Sequence, residues 1–184
     1  MNGRGILVDT DISLECGFTS GLNIEPYNEE NVQPGSYDLT LGDEFIFPDD
    51  IEADVLGLDR GKIEADARVC DSVVLDPGDF VLGHTVEYVE IPDDITGEVK
   101  GRSTLGRMGL IPHTAGWIDP GFEGQITLEL KNHGKIPVEV KPGQRIAQMV
   151  IQETRKKSSR PYGERRGSKY NGQTGATMSR AEKE

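Results

Sequence analysis

An all-β domain is predicted by three features of the sequence. Apolar and polar residues alternate through many short segments, Pro/Gly turns separate those segments at regular intervals, and a single stretch has helical character. That stretch is N-terminal: Asp9 or Thr10 can cap a turn running through Ile12, Ser13, Leu14 and Glu15 that ends near Gly17. From residue 36 onward β-branched residues and period-two alternation take over. Ser36–Leu41 alternates, Gly42 and Asp43 turn the chain, and Glu44–Pro48 is a second short strand. Ser72–Leu75 leads through the turn Asp76-Pro77-Gly78-Asp79 into a long strand over Phe80–Ile91. After the breaker Pro92-Asp93-Asp94 comes Ile95–Lys100. Strands over Gln125–Leu130 and Ile136–Val140 flank Asn132-His133-Gly134, which reads as a tight turn between them. Lys141-Pro142-Gly143-Gln144 then turns into the last strand, Arg145–Ile151. No internal repeat is visible.

Residues 154–184 are polar, rich in Gly, Ser and Arg, and unpatterned. The chain therefore divides into a β-domain over 1–153 and a flexible C-terminal arm over 154–184, which orders when a ligand or subunit gives it contacts.

At 184 residues the chain is one domain, long enough for a core without staples. A net charge of −12 argues against a nucleic-acid-coating protein, whose affinity comes mainly from neutralising phosphates. The charge is uneven. Residues 1–98 hold 24 acidic against 4 basic side chains, whereas residues 151–184 hold 4 acidic against 9 basic. An acidic body serves solubility or high-salt adaptation; a basic tail either binds an anion or docks on its own acidic neighbour. Cys16 and Cys70 lack the spacing of a disulfide framework or metal clip, which fits a reducing cytoplasm. Neither a signal peptide nor an apolar run of membrane-spanning length is visible, so a cytoplasmic, soluble protein without membrane partners is expected.

The chemistry-bearing residues concentrate in the middle of the chain. Gly101-Arg102-Ser103-Thr104-Leu105-Gly106-Arg107 supplies two guanidiniums, hydroxyls and a Gly/Ser turn whose free backbone N–H groups add donors for phosphate oxygens. A surface salt bridge to nearby carboxylates accounts for the same residues. It is not a Walker loop, because no Gly-Lys-Ser/Thr follows a glycine spacing. In Ile126-Thr127-Leu128-Glu129-Leu130 the alternation puts Thr127 and Glu129 on one face. That face is either solvent or a cleft wall; in a cleft, removal from water favours the neutral carboxyl and equips Glu129 to shuttle a proton. Asp119, before Pro120-Gly121, is a turn former with a carboxylate to spare. Neither His-x-Glu with Pro-Cys-x-x-Cys nor His-Glu-x-x-His occurs, so any chemistry proceeds without protein-bound zinc.

Taken together, Val32-Gln33-Pro34-Gly35-Ser36-Tyr37-Asp38-Leu39-Thr40-Leu41-Gly42, the segments 101–107, 113–124, 126–130 and 142–148, and the arm from Pro161-Tyr162-Gly163 to Ser168–Gly175 resemble the dCTP deaminase branch of the trimeric dUTPase superfamily. The match runs nearly end to end, in family order.

The resemblance implies a dUTPase-like distorted, jelly-roll-like β-barrel with a short N-terminal helix, and a homotrimer with sites at subunit interfaces. It implies a hydrolase that deaminates dCTP to dUTP and ammonia, without zinc, in pyrimidine deoxynucleotide metabolism. Glu129 would be general base and acid, Ser103 and the Ala115 carbonyl would position water, and Arg107 would support the carboxylate and developing charge. Thr127 and Leu128 would read the base edge through backbone groups, Asp119 would hold the 3′-hydroxyl, and Trp117 would flank sugar and base. Arg102, the turn through Thr104 and Leu105 to Gly106, Tyr162, Lys169 and Gln173 would bind the triphosphate, with Mg²⁺ bridging its oxygens. The arm would close over the ligand.

The link from Ser103 to Ala115 is one residue shorter than in typical deaminases and closer to many dUTPases, and Gly116-Trp117 is similar to archaeal and Gram-positive types, some of which also hydrolyse dUTP. The alternatives are accordingly a bifunctional enzyme giving dUMP and pyrophosphate, a pure dUTPase, or a non-catalytic nucleotide sensor.

Overall fold

The protein is represented by a computed structural model that describes residues 5–18, 21–51, 65–112, 115–163 and 168–180. Along the chain lie α1 (Asp9–Phe18), β1 (Asn23–Glu25), β2 (Val32–Gln33), β3 (Ser36–Thr40), β4 (Glu44–Phe45), β5 (Arg68–Val69), β6 (Val73–Leu75), β7 (Phe80–Glu90) and β8 (Ile95–Gly101). Then come α2 (Ser103–Met108), β9 (Leu110–Ile111), β10 (Trp117–Ile118), β11 (Glu123–Asn132), β12 (Val138–Val140) and β13 (Arg145–Glu153). No helix among the described residues is long and apolar enough to cross a membrane.

Two antiparallel sheets carry the architecture, one ordered β1-β7-β11-β9 and the other β10-β8-β13-β3-β2. Both contribute to one core, in which Leu39, Met149 and Val99 of the second sheet meet Leu128, Leu130 and Val89 of the first. The link between sheets is local: Leu41 bridges Thr85, and Ile46 bridges Leu82. The all-β class is therefore as expected. The pairing does not close into a ring among the described residues, so the fold is a barrel only in the loose sense of two sheets around a common core.

The alternating segments fold as their pattern dictates. In β11 the apolar residues Ile126, Leu128 and Leu130 are buried, and the intervening Gln125, Thr127, Glu129 and Lys131 are half-buried. Strands 80–90, 95–101 and 145–153 fall where alternation and turn signals put them. α1 starts at Asp9 and buries Ile12, while the Asp11 carboxylate reaches back to the Val8 N–H at 3.2 Å, as an N-terminal acidic side chain does for orphan donors. Both cysteines are free thiols; burial pushes Cys16 up to about 11.

Two expectations are corrected. The Gly/Ser turn of residues 103–108 is a helix, α2, capped by Gly109 in the left-handed conformation at φ 89°. The Gly106 N–H bonds the Arg102 carbonyl at 3.0 Å, so helix geometry consumes a donor that an open turn would have offered. Asn132–Gly134 turns the chain but makes no hairpin, because β12 pairs with β6 rather than β11. The Asn132 side chain holds this corner, donating to the Leu75 and Ile136 carbonyls at 2.9 Å and accepting from the Gly134 N–H.

The start of the arm docks on the acidic body. Lys157 Nζ lies 2.8 Å from Asp93, and the Ser158 N–H bonds the Asp93 carbonyl at 2.7 Å.

Candidate functional site

β11 is the rigid half of the site. It pairs with β7 over Glu123–Gln125 and, after an irregularity at Ile126 where the N–H bonds the Thr85 hydroxyl, again over Thr127–Lys131, setting Thr127 opposite His84, Leu128 opposite Gly83 and Glu129 opposite Leu82. On its other edge it meets β9 at Lys131 and Asn132, and the arm at Gly124, which bridges Gln173. Thr127 and Leu128 lie between these two points, and among the described residues they pair with β7 alone. A strand edge of this kind offers backbone groups to a planar, hydrogen-bonding ligand. Glu129 is half-buried on the Thr127 face, where a carboxylate is partly sheltered from water.

The arm covers the same face. Gln173 is 7 % exposed. The Gln125 N–H donates to its carbonyl at 2.9 Å, and its side-chain amide donates to the Gln125 carbonyl at 2.7 Å. Gly124 permits this approach: at φ 149°, a Cβ there would stand 3.1 Å from the Gln173 carbonyl oxygen. Upstream, Tyr162 packs against Phe122 with ring centroids 5.9 Å apart, its N–H bonds the Pro120 carbonyl at 2.7 Å, and its hydroxyl accepts from the Tyr170 N–H. Arg180 closes the segment on itself by donating to the Lys169 carbonyl at 2.7 Å.

α2 is the exposed half. Ser103, Thr104, Gly106 and Arg107 face solvent, while Leu105 packs on the core. Arg102, just before the helix, is anchored rather than free. Its Nη2 lies 3.2 Å from Asp38, and its Nη1 donates to the Arg145 carbonyl at 2.9 Å. Arg145 approaches the same Asp38 oxygen at 3.4 Å. Asp38 is 2 % exposed: burial pushes its carboxyl above the ordinary range, and the two guanidiniums pull it partly back. Two cations against one buried carboxylate leave an excess positive charge facing outward, and the remaining donors of Arg102 can still meet an anion.

β10 and the turn after it add Trp117, 61 % exposed, whose Nε1 donates to Asp119 at 3.2 Å. Ala115 is exposed at the start of this segment. His113 and Thr114, the stretch where the short link was read, lie outside the described residues.

The structure thus links Thr127 to Gln173 through the Thr177 hydroxyl, and brings Trp117 to Asp119. No hydrogen bond joins Ser103 or Arg107 to Thr127, Asp119, Tyr162 or Gln173 among the described residues. Sequence reasoning missed Asp38, Gln125 and Thr177. Asp38 sits in a strand whose alternation puts it with Ser36 and Thr40, and a lone carboxylate opposite an arginine-rich segment was its one available signal. Among the described residues no group of three or more His, Cys, Asp or Glu side chains is arranged to hold a metal ion.

A family model described as dCTP deaminase-like matches residues 6–154. The chain is 46% identical to a protein of Natronomonas pharaonis named dCTP deaminase, with 95% of this chain and 94% of that protein covered. It is 44% identical, over 95% of this chain and 94% of the other, to a Halobacterium salinarum protein named dCTP deaminase, dUMP-forming. Its fold is similar to that of 2′-deoxycytidine 5′-triphosphate deaminase from Agrobacterium tumefaciens, at a TM-score of 0.64 and 21% identity. That match covers 82% of this chain and 48% of the other, so the chain spans about half the length of that neighbour.

Proposed function

The chain belongs to the dCTP deaminase-like family, and from that premise we propose that it hydrolyses dCTP to dUTP and ammonia in the cytoplasm. The observation that carries this reading is the half-buried Thr127/Glu129 face of β11, with a strand edge at Thr127 and Leu128 and the arm alongside. It places strand-edge backbone groups, unpaired among the described residues, next to a partly sheltered carboxylate.

In this reading Glu129 takes a proton from water as the oxygen attacks C4 of cytosine, and passes it to N3. The tetrahedral carbon then collapses: the C4–N bond breaks, the departing nitrogen receives the second proton of the water through Glu129, and a C4 carbonyl remains. Ser103 and the Ala115 carbonyl position the water, and Arg107 steadies the carboxylate and developing charge. Thr127 and Leu128 hold the base edge through backbone groups, Asp119 holds the 3′-hydroxyl, and Trp117 flanks sugar and base. Arg102, Thr104, Leu105, Gly106, Tyr162, Lys169 and Gln173 form the triphosphate site. These same residues would hold the triphosphate together with any Mg²⁺ bound to it, and that ion would supply charge neutralisation.

A homotrimer follows from the same reading. Ser103 and Arg107 stand exposed on α2, with no hydrogen bond to the Thr127 or arm groups among the described residues, which suits a site completed by a neighbouring subunit. The arm over 154–184 then closes the pocket.

A second reading is favoured by one observation: relatives at 44% identity carry the name dUMP-forming. One assay separates the two. The protein is incubated with dCTP and Mg²⁺, and dUTP, dUMP, ammonia and pyrophosphate are resolved. Ammonia and dUTP in equal amounts are expected; dUMP with pyrophosphate from the same dCTP identifies the bifunctional enzyme. Unconsumed dCTP overturns the deaminase reading.

A further inference from the structure

We propose that Thr177 is a positioning residue that couples the triphosphate-binding arm to the base-reading strand, an inference that rests on the deaminase reading above. Its hydroxyl stands between one residue assigned to each end of the nucleotide, 2.9 Å from the Gln173 side-chain oxygen and 3.0 Å from the Thr127 hydroxyl. Its backbone N–H donates to the Thr127 hydroxyl oxygen at 3.3 Å.

The protons can be counted. The Gln173 Nε2 donates to the Gln125 carbonyl at 2.7 Å, so its Oε1 faces Thr177 and can only accept. Thr177 has one hydroxyl proton, and it goes to that oxygen. The Thr127 hydroxyl therefore donates to Thr177 Oγ1, while its own oxygen accepts the Thr177 N–H. The result is a directional chain, Thr127 to Thr177 to Gln173 to the Gln125 carbonyl, which begins and ends on β11.

Packing holds Thr177 where this chain needs it. Ala176, 8 % exposed, clusters with Ile46 and Leu82, and Met178 packs against the same cluster. Leu82 is the cross-strand partner of Glu129, so its side chain shares the Glu129 face of the sheet. Gly175 adds a further tie, its N–H bonding the Gln125 side-chain oxygen at 2.7 Å. The neighbours of Thr177 thus clamp the arm beside the proposed base, and its hydroxyl sets the register between phosphate-binding Gln173 and base-reading Thr127.

The consequence is energetic coupling between the two ends of the nucleotide. A triphosphate that holds Gln173 in place also holds Thr127 in place, so dCTP gains over dCMP by more than its own phosphate contacts. Removing the hydroxyl cuts that link without touching Glu129.

The test measures kcat and KM for dCTP and dCMP in the full-length wild type, Thr177→Val, Thr177→Ser, Thr127→Val and the double Thr127→Val/Thr177→Val variant. In Thr177→Val, KM for dCTP is expected to rise about three- to tenfold, the scale of a lost hydrogen bond, with kcat within about twofold. The dCTP-over-dCMP preference shrinks by a similar factor, Thr177→Ser restores most of it, and the double variant is no worse than the worse single one. Wild-type turnover with Thr177→Val unchanged in KM and preference overturns the coupling alone. So does an additive double variant. A wild type that leaves dCTP intact overturns instead the deaminase reading beneath it. Loss of folded Thr177→Val leaves the serine and Thr127→Val comparisons to decide, and a Thr127→Val variant that keeps the full dCTP-over-dCMP preference counts against the coupling.

Discussion

α2 exposes Ser103, Thr104 and Arg107 and packs only Leu105 on the core, whereas β11 buries Ile126, Leu128 and Leu130 and half-buries the side chains between them. Both segments carry residues assigned to the same reaction. They are stabilised in different ways. A six-residue helix is far below the roughly 12–15 residues an isolated helix needs, so α2 depends on its Gly109 cap, on Leu105, and on packing against β9. β11 is an inner strand of its sheet, and β7 holds its backbone on both sides of the irregularity at Ile126. Groups on such a strand are aimed before any ligand arrives; those on α2 owe their direction to a few anchors, among them the Asp38–Arg102 pair just before the helix. In the proposed mechanism this is a division of labour, with β11 supplying the preorganised base and α2 adaptable contacts.

The largest expected effect comes from β11 chemistry. Glu129→Gln keeps the shape of the face but removes the proton shuttle, so kcat for dCTP should fall about 10²- to 10⁴-fold while nucleotide binding by calorimetry persists. Full activity in that variant would remove Glu129 from the mechanism. The contrast in packing is tested next. Leu128→Ala, at a fully buried position, should cost about 2–5 kcal/mol of stability in urea unfolding. Leu105→Ala, at a half-buried one, should cost about 1 kcal/mol. Equal costs would mean that α2 is as integral to the core as β11.

The smallest effect concerns Glu87, a buried carboxylate on β7, the strand that supports β11. Burial pushes it above its ordinary 4.5, and the Thr40 N–H at 2.8 Å pulls it partly back. A raised carboxyl binds its proton more tightly in the folded state, so its stabilising contribution is full below the ordinary value and is lost as pH rises through the raised one. Glu87→Gln should therefore gain stability relative to wild type on going from about pH 4 to about pH 7, read from urea midpoints. A difference that stays constant with pH would mean that Glu87 does not titrate differently in the folded protein.

Much of the β11 half could be read from residue order. The alternation 126–130 already paired Thr127 with Glu129 on one face, and the long strand over 80–91 needed only its turn signals. What alternation could not tell was whether that face met water or a wall, since a polar face is written the same way in both cases. The α2 half was harder. Gly106 in the middle of a six-residue segment speaks against a helix, and its N-cap, Arg102, makes no side-chain capping bond, so the local signals pointed to a turn. Asp38 was invisible for a similar reason: its burial depends on Arg102 and Arg145, 64 and 107 positions further along the chain.

Sequence by itself determined the all-β class, the order of the principal strands, the short N-terminal helix and the family, because period-two patterning, turn residues and ordered motifs are local properties of the chain. Tertiary structure alone decided that β12 leaves β11 for β6, that Asp38 is buried between two arginines, and that the arm lies on the Thr127 face through Gln173 and Thr177. These are contacts between distant residues, settled by which surfaces can be desolvated together while every buried donor and acceptor finds a partner.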